Sequence, residues 1–387
     1  MNTLVMKDGV PAEAGSPPDF LFTSGQGCLR AYDLGQPIST PASEWSLLER
    51  QIVQALAAAE AAGQANPLLV GAFAFDPAEA SCLYVPGRYE RGERVSPQAS
   101  TPDTNQVISV SSTPAAAEFK ASVSSALDAF AKGSLAKVVL SRKLKLHLRK
   151  AADPERVLAR LMTQNPNAFH FSLPLGQGRR LLGASPELLL RVSEGAVFTH
   201  PLAGSAKRGG EPQQDEAVAR KLLASHKDQH EHRLVIDEIR RVLTPHCREL
   251  AIPASPTLMS TDTLWHLGTP IAGQLHGRDA SVLSLACQLH PTPALCGYPT
   301  DLARQFIREQ EPFRRALFSG IVGWCDSQGN GEWAVVIRCG VLDGHHVELF
   351  AGAGIVAGSD PAMEWAETGT KLGTMLKALG LDLEVAL

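Results

Sequence analysis

The sequence has no long apolar run, no excess of one charge and no paired cysteine motif, and each absence removes a class of function. No apolar stretch approaches the ~18 residues that a membrane span requires. Lys and Arg number 36 against 40 Asp and Glu, a formal net charge of -4. That balance offers no basic face to nucleic acid and no polybasic tail to a membrane. An anionic substrate must therefore meet locally placed cations or a metal ion. The seven cysteines (Cys28, Cys82, Cys247, Cys287, Cys296, Cys325 and Cys339) are scattered, odd in number and without a CxxC pair. Free thiols in a reducing cytoplasm are expected, most of them acting as small buried hydrophobes. The opening MNTLVMKDGV has no basic stretch leading into an apolar core, so no signal peptide is expected and the location is read as cytoplasmic. Aromatic residues make up only 6%, yet 44% hydrophobic against 20% charged describes a folded globular chain. Its 387 residues suffice for one large domain or two ordinary ones.

No internal repeat or low-complexity tract interrupts the chain. Residues 1–20 are punctuated by Pro and Gly and expected to be loose at the start. The segment from Pro41 to Gly63 reads as an amphipathic helix. Pro86 to Ser112, dense in Pro, Ser, Thr and Arg, reads as a long surface connection. A helix capped by Thr113 is expected next, with Phe119, Val123, Leu127 and Phe130 on one face and Gly133 as its stop. AKVVLSRKLKLHL then alternates like a strand, and AFHFSL, RLLGA, ELLLRV and AVFTHPL read as further strands. Helices are expected over 213–224, 227–243, 279–289, 300–310 and from Pro361 to Leu379. The strands mostly follow one another without intervening helices, which favours antiparallel sheets and an α+β class.

The candidate chemistry begins with acids on helices. Asp228 and Glu231, three apart in HKDQHEHRLVIDEI, share a helix face, and Glu364 and Glu367 repeat the spacing in PAMEWAETGTKL. Two such pairs turned inward could hold a hard divalent cation through oxygen, with magnesium keeping several waters. By spacing alone a solvated helix face is the commoner reading, but Leu234, Val235, Met363 and Trp365 beside the acids favour burial. His226 and His230 have a zinc-like spacing, without HExxH and without an evident third ligand. Gly352, Gly354 and Ala357 match GxGxxA, a lone dinucleotide signal, but the chain has no room for a full nucleotide unit after it. Small residues there are read instead as allowing close backbone approach to an anion. Lys137 and Glu187 each open an apolar run. A desolvated lysine can serve as general base and a desolvated carboxyl as general acid, although an ordinary strand-edge charge explains either residue taken alone.

Together, LAKVVLSR, LLGASPELLLR, HPLAGSAKRG, KDQHEHRLVIDEI, LWHLGTPIAG, LHPTPALCGYPT, FSGIVGWCD, IRCG and LFAGAGIV…EWAETGTKL resemble, in order and spacing, the chorismate-utilising enzymes. The resemblance covers about residues 113–380, with a weaker likeness at VGAFAFDP, and implies a single domain over 1–387 whose first 112 residues are the more variable part. It also implies the fold: two packed antiparallel sheets flanked by helices, with the site in a cleft. Lysine at 137, where ammonia-using members typically carry glutamine, points to water as nucleophile. Ala203 stands where aminodeoxychorismate synthases place a nucleophilic lysine. The wording of HPTPALCG and GIVGWCDSQGNGEW is most similar to isochorismate synthases of catechol siderophore pathways, and Ala294 agrees with stopping at isochorismate.

The roles this resemblance implies are as follows. Lys137 is the general base for water attack at ring C2, and Glu187 the general acid for the departing C4 hydroxyl. Glu231 and Glu367 ligate Mg2+, with Asp228 and Glu364 acting through bound water. Arg338, taken to lie in a strand, holds the enolpyruvyl carboxylate. Gly204, Ser205, Ala294 and Gly352 contact substrate, Lys371 faces the same site, and His266 lies near the ring. The implied substrate is chorismate, handled by a monomer with at most passing contact with the enzyme that takes the product. The rival reading within the family is a salicylate synthase, which goes on to eliminate pyruvate. From another class, the rival is a catalytically silent chorismate-binding subunit. Whether the product feeds a siderophore or menaquinone is not written in the sequence.

Overall fold

The computed structural model describes residues 17–94, 105–277 and 280–381. Most of the expected loose start, the middle of the expected connection and the first residue of the expected 279–289 helix lie outside them. Among the described residues the strands form three sheets in which every pairing is antiparallel. The first has ten strands. It runs from the short Gly297–Tyr298 edge through Lys137–Leu148, His346–Val356, Cys339–Asp343, Arg180–Ser185 and Phe169–Pro174 to Phe20–Ser24, Gly27–Tyr32 and Arg88–Gly92. The second has eight, with Leu188–Ser193, Gly331–Val335, Ile321–Asp326 and Leu68–Phe73 in its middle. Leu202–Lys207, Leu264–Gly268 and Thr257–Ser260 form a third, small sheet.

The two large sheets pack face to face. Phe20, Phe22, Phe171 and Leu181 of one meet Val70, Val322, Ala334 and the adjoining Val336 of the other in one buried cluster. These residues alternate with outward-facing ones, as a strand period of two dictates. Helices cover the outer faces. Leu48 and Ile52 of Trp45–Ala61, Val235 and Ile239 of His226–Leu243, and Val282–Leu289 lie over the eight-stranded sheet. Val157 and Leu161 of Pro154–Gln164, with Leu372 and Leu376 of Pro361–Ala378, lie over the ten-stranded one. The amino-terminal part contributes strands to both large sheets.

Several expectations need correction. Thr113 does not cap a helix: it ends the Val107–Thr113 strand, and the helix runs Ala116–Ala131 with Glu118 reaching back to the Ala115 N–H at 2.9 Å. The expected irregular connection carries a strand at each described end, Arg88–Gly92 and Val107–Thr113, whose polar residues sit at the solvated sheet margin. AVFTHPL is two strands in different sheets, because Pro201 has no N–H to continue a ladder. The Pro154–Gln164 helix was not expected. Its signal was there in Asp153, which accepts from the Glu155 and Arg156 N–H groups, followed by Pro at the first position. Both glycines of the GxGxxA match lie within the His346–Val356 strand and Ala357 directly follows it, so no dinucleotide loop forms there.

Candidate active site

A cleft lies where the ends of the two large sheets meet the small sheet and two helices. It is lined by Glu187, Gly204, Ser205, Asp228, Glu231, His266, Ala294, Arg338, Gly352, Glu367 and Lys371. Eleven of the thirteen residues singled out in the sequence therefore converge, from eight separate stretches of chain. Lys137 and Glu364 stand one layer behind: Lys137 is fully buried and reaches Glu231 Oε1 at 2.8 Å, and Glu364 is buried and accepts from Lys227 Nζ at 2.9 Å.

Each position follows from local structure. Lys137 is the first residue of its strand, paired with Val356 and Tyr298, which aims its side chain beneath the cleft floor. Two residues along the partner strand, Gly354 leaves room for Glu231: a Cβ there would overlap the carboxylate. Gly352 gives its carbonyl to Lys371 Nζ at 2.8 Å. Ser225 caps the His226–Leu243 helix, so Asp228 and Glu231 fall on its cleft-facing side, while His226 and His230 are exposed on the other. That arrangement removes the zinc reading. In the small sheet Ser205 lies opposite His266, and Gly204 takes φ +76 with Asp228 where its Cβ would be.

Arg338 is not in a strand. It occupies the break between Gly331–Val335 and Cys339–Asp343 with φ 51, a left-handed conformation that costs a non-glycine residue of order 1 kcal/mol or more. The strained turn points a buried guanidinium at Glu187 and Glu367. Burial lowers its pKa to about 10 against the pull of those carboxylates, which leaves it charged near neutrality. Glu187 sits in a similar break, after Pro186, with 4% exposure. Burial raises its pKa to about 7, outweighing the Leu202 N–H at 3.4 Å and the nearby charges of Lys137, Arg338 and Lys371. This is a carboxyl poised to exchange a proton near physiological pH. His266 is buried without a partner for Nε2, and burial beside Arg338 and Lys371 pushes it well below its ordinary pKa, so it is a neutral imidazole.

The four helix acids repel one another through the cleft. Burial raises Asp228, with Glu231 adding to the effect, and burial likewise raises Glu364, with Glu367 adding. Burial also pushes Glu367 up, but Lys371 at 2.5 Å and the Ser205 hydroxyl outweigh it and hold this carboxyl below its usual range. Among the described residues no three side chains of metal-ligating type close on one point; a lysine lies against each of three acids instead. The donors nevertheless fit a hard cation. They are all oxygen, they lie on two helices lining one cleft, and magnesium commonly takes only one or two carboxylates and keeps its waters. Lys227 escaped the sequence reading although it adjoins Asp228; as a helix lysine it looked like ordinary surface charge. Glu231 and Glu364 are buried as expected, although Met363 itself is 73% exposed, while Trp365 packs on Phe119 and Arg142.

With this geometry in hand the chain can be set beside known proteins. Residues 87–380 match the family model described as chorismate binding enzyme. The isochorismate synthase EntC of Escherichia coli (strain K12) is 45% identical over 365 residues, spanning 93% of this chain and 92% of that one. The isochorismate synthase DhbC of Bacillus subtilis (strain 168) is 40% identical over 376 residues, spanning 95% and 94%. The solved structure of MenF, the menaquinone-specific isochorismate synthase from Escherichia coli, superposes with a TM-score of 0.80 at 26% identity, covering 96% of this chain and 92% of that one. The chain belongs to the chorismate-binding enzyme family.

Proposed function

We infer that this chain is an isochorismate synthase, an isomerase that adds water at C2 of chorismate and releases the C4 hydroxyl. The observation that carries the reading is a buried glutamic acid in the cleft, its pKa raised to about 7, with a fully buried lysine one layer behind whose charge it feels. The two relatives above, 45% and 40% identical over nearly their whole length, carry that activity in their names and not that of a salicylate synthase.

In this reading Arg338 binds the enolpyruvyl carboxylate by charge-assisted hydrogen bonds, and Lys371, Ser205 and the backbone at Gly204 and Gly352 confine the ring. Glu231 and Glu367 would hold magnesium, with Asp228 and Glu364 acting through bound water. When bound, that ion supplies the positive charge that neutralises the ring carboxylate. Lys137 takes a proton from the attacking water as the C2–O bond forms. The ring electrons shift, the C4–O bond breaks, and Glu187 gives its proton to the leaving oxygen. Glu231 has to turn away from Lys137 before the amine can meet a water in the cleft. The amino-terminal and carboxy-terminal parts act as one domain, working as a monomer on a small molecule. Among the described residues no helix is long and apolar enough to cross a membrane.

The test is chromatographic identification of the product. Chorismate with magnesium should give isochorismate without stoichiometric pyruvate, and EDTA should stop turnover; Glu231→Ala should behave like the chelated wild type. Salicylate as main product, or full activity in EDTA, would overturn the reading.

A pH dependence follows from Glu187. The forward reaction starts with a neutral Lys137 and a protonated Glu187, and the reverse starts with a charged Lys137 and an ionised Glu187. Both states hold the same number of protons, so kcat/KM has one profile in both directions. As pH falls through about 7 Glu187 binds a proton, and the pair then holds one proton too many and lacks a base. We expect kcat/KM to drop about tenfold per pH unit below that point in both directions. A rate that is flat from about pH 5 to 8 contradicts the assignment.

A further inference from the structure

The strand that begins at Lys137 has a gap along one edge. Tyr298 and Gly297 pair with Lys137 and Val138, and this ladder ends where the Val139 N–H donates to the Cys296 carbonyl at 2.8 Å. Val107–Thr113 takes up the same edge only from Lys143 onward. Between the two, the Val139 carbonyl and the Ser141 N–H would be buried without partners, which backbone groups rarely tolerate. A buried ion pair fills the gap. Glu311 Oε1 accepts from the Ser141 N–H at 2.8 Å, and Arg315 Nη2 donates to the Val139 carbonyl at 2.7 Å. Arg315 also donates through Nη1 to the Leu295 carbonyl at 2.9 Å and through Nε to Glu311 Oε2 at 2.8 Å. Both side chains are no more than 3% exposed, and neither lines the cleft. An ion pair this deep commonly gains nothing over apolar residues of the same volume, but apolar residues could not meet these backbone groups.

The groups that the pair holds are flanks of the cleft. Val139 and Leu295 both line it, as does Ala294 beside Leu295. Phe318 and Ser319 line it too, and they come from the turn that Arg315 opens: the Phe318 N–H donates to the Arg315 carbonyl at 3.0 Å. Ala316 and Ser319 take φ 49 and 59 in that turn, conformations that persist only where the surroundings hold them. The Arg315 guanidinium lies 4.3 Å over the Phe75 ring, and the Phe75 N–H donates to the Ala316 carbonyl at 2.8 Å, which fastens the turn. We propose that Glu311 and Arg315 are positioning residues for substrate binding. Standing in for a missing strand, they end the ladder at Cys296, turn Ala294 and Leu295 into the cleft, and fix Val139, Leu295 and Phe318 against the bound ring. The proposal rests on the reading of this cleft as the chorismate site.

Steady-state kinetics of two variants of the full chain test it. Arg315→Lys keeps the charge but replaces the planar fork by a single ammonium, which cannot serve Glu311 and two carbonyls in the same geometry. Glu311→Asp keeps both charges and withdraws the carboxylate by one methylene. Each should raise the chorismate KM at least ~10-fold and change kcat less than ~3-fold, because the displaced wall meets substrate and transition state alike. A role in folding alone gives the opposite split, since a smaller folded fraction lowers apparent kcat and leaves KM where it was. Circular dichroism at the assay temperature gives that fraction. The proposal is overturned if KM stays within about twofold of wild type in both variants. It is overturned equally if both are unfolded at the assay temperature, because the pair would then determine the fold and not the wall. A wild-type product other than isochorismate, with the KM ratios as expected, would count against the proposed activity instead.

Discussion

Lys137→Ala is expected to lower kcat at least ~100-fold while chorismate binding changes little. The side chain does not line the cleft, so its removal takes nothing from the surface the substrate meets. It does remove the amine that lies against Glu231 beneath the cleft floor, the group assigned here as the base. The substitution also leaves the buried Glu231 without its ion-pair partner, which would destabilise the fold if the carboxylate stayed charged. Lys137→Gln keeps the bulk and a donor for Glu231, and should fold like wild type yet be as slow. Circular dichroism separates lost fold from lost base. A Gln variant with near-wild-type kcat would remove Lys137 from the chemistry.

Glu187→Gln should cost a similar factor, because an amide has no proton to give the departing hydroxyl. What distinguishes it from Lys137→Ala is stability. Burial raises the Glu187 pKa from 4.5 to about 7, so between those values the folded state binds more protons than the unfolded one. The group therefore contributes stability that is complete below about pH 4.5 and is lost as pH rises through 7. Above that, keeping an ionised carboxylate buried costs about 3 kcal/mol at most. Gln carries no such cost, so the variant should melt at higher temperature than wild type at pH 8 and lose that advantage at pH 5. An inactive variant with this stability pattern means a carboxyl held for its proton. Equal melting differences at both pH values would mean that Glu187 is not strained by burial.

The helix acids illustrate how much the sequence could tell. Spacing three apart put Asp228 with Glu231 and Glu364 with Glu367 on shared faces, but the periodicity of one helix says nothing about what the opposite element presents. The lysine against each of three acids comes from three places, residues 137, 227 and 371, and only Lys371, a helical turn after Glu367, shares a legible spacing with its partner. Period-two alternation revealed strands, yet not their order: the ten-stranded sheet pairs Phe22 with Phe171 and Val347 with Leu146, long-range pairings with no local signature. Arg338 was legible as a residue and not as a conformation, because nothing in IRCG announces a left-handed turn. Thr113 misled because a good cap residue before Pro114 is an equally good strand end.

The central claim is displacement by solvent water from one side of the ring while the old hydroxyl leaves from the other. Turnover in oxygen-18 water, with the isochorismate analysed by mass spectrometry after a single pass, tests it most directly. One heavy oxygen per product molecule, located at C2, is the expected result. Isochorismate that keeps the original light oxygen would mean that the hydroxyl migrates within the substrate, leaving Lys137 no water to activate.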